Sequence, residues 1–239
     1  MISFCPICES VISSAKIICD DCAAELDKEC FDTFMARCDK CFFPKVSDVY
    51  TCERCRDKKP YRIFPVARFD GPLGYSVMYS LKFRGCRELA KAAALYLERA
   101  VCALDPEGKA VLAPVPCSSG RLKKNGWDQM TCICRALGRP FLPLLVNSGG
   151  FENEAMTKGD YADYVGERKR LNRVQRLSFA KGRFAFNPDC IDRLEELKKT
   201  HIIVVDDIIT TGSTMKSALD TLESLGFESL SGASWLCEL

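Results

Sequence analysis

Apolar runs that suit strands alternate with amphipathic stretches from Tyr61 onward. The apolar runs predict strands at Arg62–Phe69, Ala110–Pro116, Phe141–Val146, His201–Val205 and Glu228–Trp235. The amphipathic periodicity predicts helices at Tyr75–Phe83, Glu88–Leu104, Asp128–Leu137 and Ser213–Leu225. Strands that alternate with helices favour an α/β fold, in which helices flank a mostly parallel sheet and ligands bind at the carboxyl ends of the strands.

The first 58 residues have a different pattern, rich in cysteine and without a long amphipathic stretch. They contain the spacing C-x2-C-x10-C-x2-C twice, with the second copy 33 residues after the first. The cysteines of the two copies are Cys5, Cys8, Cys19 and Cys22, then Cys38, Cys41, Cys52 and Cys55. Two Cys-x-x-Cys turns supply the four thiolates of a tetrahedral zinc site, so the repeat predicts two zinc ions. We therefore expect a zinc-binding module at residues 1–58 and an α/β domain at residues 59–239.

Two pairings of the cysteine turns fit this spacing, because the four turns can be joined sequentially or in a cross-braced arrangement. Ligand sets made only of cysteine leave no open coordination position, so we expect the zinc ions to be structural. Redox chemistry of the dithiols is a lesser alternative. The chain has 16 cysteines, and the eight outside the repeat lack ligand spacing and are interpreted mostly as small core residues.

The segment from Ile202 to Thr214 has the pattern of a phosphate site. Four branched aliphatic residues predict a buried strand, and Asp206 and Asp207 follow it. The loop after the acids consists of small and hydroxyl residues and includes Thr210, Thr211, Gly212, Ser213 and Thr214. Successive backbone N–H groups in such a loop, together with a helix N-terminus, bind anions. Paired carboxylates accept hydrogen bonds from vicinal hydroxyls, so the segment predicts a site for ribose 5-phosphate.

This segment resembles the binding signature for 5-phosphoribosyl-1-pyrophosphate (PRPP) in type I phosphoribosyltransferases. Further stretches resemble the ComF (competence protein F) family, whose members also begin with paired Cys-x-x-Cys turns. These stretches are Leu81–Gly85, Pro114–Pro116 with Arg121, Gly126–Gln129, and Lys169, Leu171, Arg173 and Arg176 with Gly182 and Phe184. The chain departs from the family pattern at residues 117–120, which lack the common histidine, and at Asp128, Arg168 and Phe179.

The resemblance implies the remaining parts of a PRPP site. It places a pyrophosphate loop at Ser118, Ser119, Gly120 and Arg121, and it implies that Mg2+ accompanies PRPP. Residues 150–182 are polar and basic, and they are interpreted either as a lid over PRPP, with Lys169, Arg173 and Arg176, or as a solvated basic stretch. No residue has the position of a general base, so catalytic residues stay unassigned.

Two functions follow from this reading. The resemblance implies a ComF-type protein that handles single-stranded DNA during natural transformation, with DNA-uptake proteins as partners. The alternative is an active phosphoribosyltransferase, of the glycosyltransferase class, that moves ribose 5-phosphate from PRPP to an unidentified nitrogen acceptor. The net charge of +2 means that any basic DNA-binding surface must be local, for example around Lys82, Arg84, Arg87, Arg121, Lys123 and Lys124.

The hydropathy of the chain bears on whether the protein inserts into a membrane and where in the cell it is expected. No apolar run reaches the ~18 residues that span a bilayer, and the first residues lack a basic segment followed by a long apolar stretch. We therefore expect a cytoplasmic protein without membrane insertion, and the apolar fraction of 47% is enough for a packed core.

Overall fold

The computed structural model describes residues 3–33, 35–45, 55, 60–118, 120, 122–123, 126–148 and 183–238. The described strands are β1 (Ser3–Phe4), β2 (Val11–Ile12), β3 (Arg62–Arg68), β4 (Val111–Pro114), β5 (Leu145–Asn147), β6 (Phe184–Phe186), β7 (Ile202–Ile209) and β8 (Leu230–Cys237). The described α-helices are α1 (Asp20–Lys28), α2 (Gly74–Lys82), α3 (Glu88–Leu104), α4 (Gln129–Leu137), α5 (Leu194–Lys198) and α6 (Ser213–Ser224). Short 3-10 helices lie at Phe31–Thr33 and Pro188–Arg193.

The main sheet has four strands in the order β3-β8-β7-β4, and each neighbouring pair is parallel. Two smaller antiparallel pairs, β1 with β2 and β5 with β6, lie outside it. Residues of β7 alternate between two hydrophobic cores: Ile203 and Val205 pack on the face that carries α3, and Ile202 and Val204 on the face that carries α6. The predicted α/β fold, a mostly parallel sheet flanked by helices, is confirmed.

Helix α3 begins and ends where its periodicity predicts, at Glu88 and Leu104. Its apolar stripe of alanine and leucine packs on the sheet, and the Tyr96 ring stacks on Trp235 of β8 at a centroid distance of 6.1 Å. The small alanine side chains allow the helix to approach the strands closely. Helix α3 therefore covers the face of the sheet to which Ile203 and Val205 of β7 contribute.

Strand β7 is longer than the sequence pattern predicts. The expected strand ends at Val205, whereas the observed strand continues through both acids to Ile209. Asp206 pairs in register with Ser234, and Ile209 pairs with Cys237. The extension occurs because β8 also continues to Cys237 and supplies backbone partners for the additional residues. The two acids therefore lie inside a paired strand rather than beyond its end.

The cysteine-rich segment covers the outer edge of β3. Three hydrogen bonds run along this edge: the Ile63 N–H donates to the Cys41 carbonyl at 2.8 Å, the Arg37 side chain to the Pro65 carbonyl at 2.9 Å, and the Arg68 N–H to the Glu29 carbonyl at 2.9 Å. An antiparallel bridge between Cys30 and Ala67 is the fourth contact. An exposed edge strand can pair with another chain, and this cover prevents it. The division of the chain into a zinc-binding module and an α/β domain after residue 58 stays a prediction.

Among the described residues, no helix has the length and apolar character needed to cross a bilayer.

Candidate functional site

The described cysteines of the repeat form two clusters. The sulfur atoms of Cys5, Cys8, Cys19 and Cys22 lie within 4.8 Å of one another, as do those of Cys38, Cys41 and Cys55. Cys52 lies outside the described residues. The grouping follows the sequential pairing rather than the cross-braced one. Tetrahedral zinc with Zn–S bonds of about 2.3 Å separates its sulfurs by roughly 3.8 Å. The observed distances of 3.5 Å from Cys8 to Cys19 and 3.7 Å from Cys38 to Cys55 fit that geometry.

The local structure of the first cluster also suits a metal. Cys19 is the N-cap of α1, and its sulfur accepts a hydrogen bond from the Cys22 N–H at 3.4 Å. Hydrogen bonding to Ser10 lowers the pKa of Cys8 to about 6, which favours its thiolate, whereas burial raises the pKa of Cys22. The grouped sulfurs of both clusters can therefore hold zinc, and the Cys41 carbonyl of the second cluster accepts one of the hydrogen bonds along β3.

The acid pair of β7 is buried and already engaged by neighbouring side chains. Asp206 and Asp207 are 7% and 3% exposed. The Lys82 ammonium, from the last residue of α2, lies 2.9 Å from Asp207 Oδ1. The Gln129 amide, from the first residue of α4, donates to Asp207 Oδ2. Asp206 Oδ1 accepts a hydrogen bond from the Asp207 N–H at 2.9 Å.

Burial controls the ionisation of this pair. Removal from water, together with the negative charge of Asp207, raises the pKa of Asp206 to about 7. The positive charges of Lys82 and Arg183 and the backbone N–H of Asp207 act in the opposite direction. A ligand that brings hydroxyl donors or a cation to Asp206 therefore favours its carboxylate form.

The loop after β7 has the geometry of an anion site. Gly212 has φ 76° and ψ 0°, a left-handed conformation that suits glycine and turns the chain into α6. Thr210, Thr211 and Ser213 are exposed, and the Ser213 N–H at the start of α6 donates to Thr211 Oγ1 at 3.4 Å. The Arg183 guanidinium donates to Thr214 Oγ1 at 2.7 Å and adds a positive charge next to the loop.

The predicted pyrophosphate loop leaves the sheet next to the acid loop. Strand β4 pairs with β7, with Pro114 opposite Val205, so both loops follow the carboxyl ends of adjacent parallel strands. The Cys117 N–H donates to Asp128 Oδ2 at 3.0 Å, and Asn147 donates to the Cys117 carbonyl at 2.7 Å. Ser118 and Gly120 are exposed. The predicted residues Ser119, Arg121, Lys169, Arg173 and Arg176 lie outside the described residues.

Three residues around the acid pair were not predicted as PRPP-site residues: Lys82, which was expected on a DNA-binding surface and instead pairs with Asp207, Gln129 and Arg183. Lys82 and Gln129 lie in stretches that resemble the ComF family, and this resemblance was the sequence signal that could have identified them as site residues. Their convergence on Asp207 depends on how α2 and α4 pack, and a sequence pattern does not report such packing. Arg183 immediately precedes β6, and no local motif distinguishes it from the other basic residues nearby.

Comparisons with known proteins find a family model and a solved structure that are similar to this chain. The family model described as the phosphoribosyl transferase domain matches residues 158–234, a range that includes β6, β7 and α6. Residues 158–234 are therefore similar to a phosphoribosyl transferase domain, and the acid pair and its loop lie within the matched range. A crystal structure of adenine phosphoribosyltransferase is similar, with 17% identity, coverage of 66% of this chain and 73% of that chain, and a TM-score of 0.36. No curated protein matches the chain.

Proposed function

We propose that this protein binds PRPP or a related phosphoribosyl ligand, with Mg2+, at the carboxyl end of β7. One observation carries the proposal: two buried carboxylates on a parallel strand lead directly into an exposed, hydroxyl-rich loop at a helix N-terminus. Helix N-termini bind phosphate through unpaired N–H groups and the helix dipole. The matched phosphoribosyl transferase domain supports the same ligand class.

Each part of the ligand has a counterpart in the proposed site. The 5-phosphate binds at Thr210, Thr211, Gly212, Ser213 and Thr214. The ribose lies towards Asp206 and Asp207, and the pyrophosphate towards Ser118, Ser119, Gly120 and Arg121. Mg2+ arrives with PRPP and is held mainly through the oxygens of the ligand, as is usual for this ion. Lys169, Arg173 and Arg176 belong to the proposed lid.

A titration calorimetry experiment tests this proposal. The wild-type protein is titrated with PRPP and Mg2+, beside the double variant Asp206→Asn/Asp207→Asn. An Asp192→Asn variant is the control, because Asp192 is an exposed acid in the 3-10 helix before α5. We expect binding by the wild type and the control, and loss of binding by the double variant when unfolding curves show that it still folds. Absence of binding by the wild type would reject the proposal.

If the protein is an enzyme, the reaction at this site is transfer of the phosphoribosyl group from PRPP to a nitrogen acceptor. In that reaction the bond from ribose C1 to pyrophosphate breaks, the pyrophosphate leaves with the electron pair, and a nitrogen acceptor bonds to C1. Backbone and cationic groups would stabilise the departing negative charge. The assay measures pyrophosphate release from PRPP with a panel of nucleobases, and release that depends on the base would establish the activity.

A single-strand DNA function of the ComF type is the second candidate, and an aromatic ladder on α2 favours it. Tyr75, Tyr79 and Phe83 are 66%, 43% and 59% exposed, and they follow one another at intervals of four residues. Their ring centroids are 6.2 Å and 5.5 Å apart, and the Arg84 guanidinium lies 5.7 Å from the Tyr79 centroid. Exposed rings beside cations are the surface on which proteins stack unpaired bases.

A salt titration separates this candidate from PRPP binding. Binding of a single-stranded oligonucleotide is measured at rising salt for the wild type and for Tyr75→Ala/Tyr79→Ala/Phe83→Ala. Leu95→Ala is the control, since Leu95 is 65% exposed on α3 and is not part of the ladder. We expect binding that weakens with salt and falls at least about tenfold in the triple variant. Equal binding by all three proteins would exclude the ladder from DNA binding.

A further inference from the structure

Gln129 is the first residue of α4, and its side chain is oriented by its neighbour on β7. The residue is 5% exposed, and its Nε2 group donates to Asp207 Oδ2. A carboxylate accepts hydrogen bonds and repels another oxygen, so the amide nitrogen must face Asp207. The amide oxygen Oε1 therefore points away from Asp207.

Within the described part of the chain, Gln129 Oε1 is buried and has no hydrogen-bond partner. A buried acceptor without a donor is uncommon in native proteins and destabilises the folded state. The nearby Asp207 carboxylate accepts hydrogen bonds and supplies no donor when ionised. Gln129 contacts Asp207, one of the two acids of the proposed ribose site, so a ligand hydroxyl that reached Oε1 would satisfy this buried acceptor.

We infer that Gln129 Oε1 accepts a hydrogen bond from a ribose hydroxyl of the phosphoribosyl ligand. The inference rests on the proposed function and adds a ligand contact that the sequence motif does not contain. It also separates the roles of the two acids. Asp207, whose carboxylate is engaged by Lys82 and Gln129, is a positioning residue that holds the amide in place. Asp206 remains the acid that contacts the sugar.

Sugar analogues that lack one hydroxyl test this contact. Affinities for ribose 5-phosphate, 2-deoxyribose 5-phosphate and 3-deoxyribose 5-phosphate are measured for the wild type and for Gln129→Met. We expect the wild type to prefer ribose 5-phosphate over one deoxy analogue by about three- to tenfold, the size of one net hydrogen bond. That preference should decrease towards unity in Gln129→Met. Arg135→Met, on the exposed side of α4, is the control and should keep the preference.

The comparison of two ligands on one protein separates a lost contact from a general loss of structure, because a structural defect weakens both ligands together. An unchanged preference in Gln129→Met would overturn the inference, while continued binding of ribose 5-phosphate would leave the proposed function standing. No binding of ribose 5-phosphate or PRPP by the wild type would reject both the inference and the proposed function.

If the variant binds too weakly to measure, an NMR experiment on the wild-type protein decides. The Gln129 side-chain amide signal should shift with ribose 5-phosphate and much less with the deoxy analogue that the wild type binds more weakly. Equal shifts with all three sugars would contradict the inference.

Discussion

The Lys82 ammonium lies 2.9 Å from Asp207 Oδ1, and this ion pair joins the end of α2 to the middle of β7. The side chains of Lys82 and Asp207 are only 16% and 4% exposed. A buried pair of this kind is costly to break, because the remaining charge stays in a medium of low polarity. The pair thus fixes the position of one acid of the proposed sugar site.

Loss of the lysine should destabilise the protein strongly. We expect Lys82→Met to lower the free energy of unfolding by about 3–5 kcal/mol, because it leaves the Asp207 carboxylate buried without its cation. The double variant Lys82→Met/Asp207→Leu should be more stable than the single variant, since it removes both charges. Urea unfolding followed by circular dichroism measures these differences.

A surface ion pair provides the matched control for that experiment. Lys216 pairs with Asp220 on α6, where the two side chains are 60% and 44% exposed. Lys216→Met should therefore change stability by less than about 1 kcal/mol. If Lys82→Met cost no more than Lys216→Met, the pair with Asp207 would not act as a buried ion pair.

Asp206 should make stability depend on pH. Burial and the charge of Asp207 raise its pKa from 3.8 to about 7, so the folded protein binds a proton more tightly than the unfolded chain does. The free energy of unfolding therefore falls as the pH rises from about 4 to about 7. Asp206→Asn cannot ionise, and its amide oxygen can still accept the Asp207 N–H. The free energy of unfolding of the variant should therefore rise relative to that of the wild type between about pH 4 and pH 7. Above about pH 7 the difference between the two should stay constant.

The measurement is the difference in free energy of unfolding between the wild type and Asp206→Asn at several pH values. Lys82, Arg183 and Asp207 face Asp206 and are the same in both proteins, so their contributions largely cancel. A difference that stays constant between pH 4 and pH 8 would mean that Asp206 is not perturbed.

Asp128 should require both of its carboxylate oxygens. Oδ1 accepts the Thr131 N–H at 2.7 Å and caps α4, and Oδ2 accepts the Cys117 N–H at 3.0 Å. Asparagine, the residue that the ComF resemblance leads one to expect, has only one acceptor oxygen. Asp128→Asn should therefore cost about 1 kcal/mol and lower Tm by about 2–4 °C. Calorimetry beside Asp192→Asn checks this, and equal Tm values in the two variants would show that the second hydrogen bond contributes nothing.

The metal content should depend on the clustered cysteines. Cys19→Ser removes one ligand of the first cluster, and we expect it to lower bound zinc from two ions towards one per chain. The loss should also weaken the cover on β3, because α1 begins at that ligand. Cys102→Ser is the control, since Cys102 is exposed on α3 and outside both clusters. Elemental analysis measures the zinc, and an unchanged zinc content in Cys19→Ser would contradict the zinc assignment.

Much of the fold was predictable because its elements have strong local patterns. The periodicity of Glu88–Leu104 places α3 correctly at both ends, and the aliphatic run at Ile202–Val205 identifies the central strand. The continuation of β7 to Ile209 was not predictable, because it depends on pairing with β8. The strand β6 at Phe184–Phe186 was also missed, since three residues carry too little pattern.

The site could be predicted only in its local part. The order of acids, hydroxyl residues and glycine in one segment indicates a sugar-phosphate site without knowledge of the fold. The contacts of Lys82 and Gln129 with Asp207 join residues 125 and 78 positions apart, respectively. Such contacts follow from the packing of α2 and α4 against the sheet, and no spacing in the sequence encodes them.

The segment from Asp206 to Thr214 is the proposed site for a ribose 5-phosphate group. A crystal structure of the protein with PRPP and Mg2+ tests this proposal most directly. We expect the 5-phosphate within hydrogen-bonding distance of the backbone N–H groups at the start of α6, with the ribose hydroxyls turned towards Asp206 and Gln129. Ligand density at another place, with no ligand at the start of α6, would contradict the proposal.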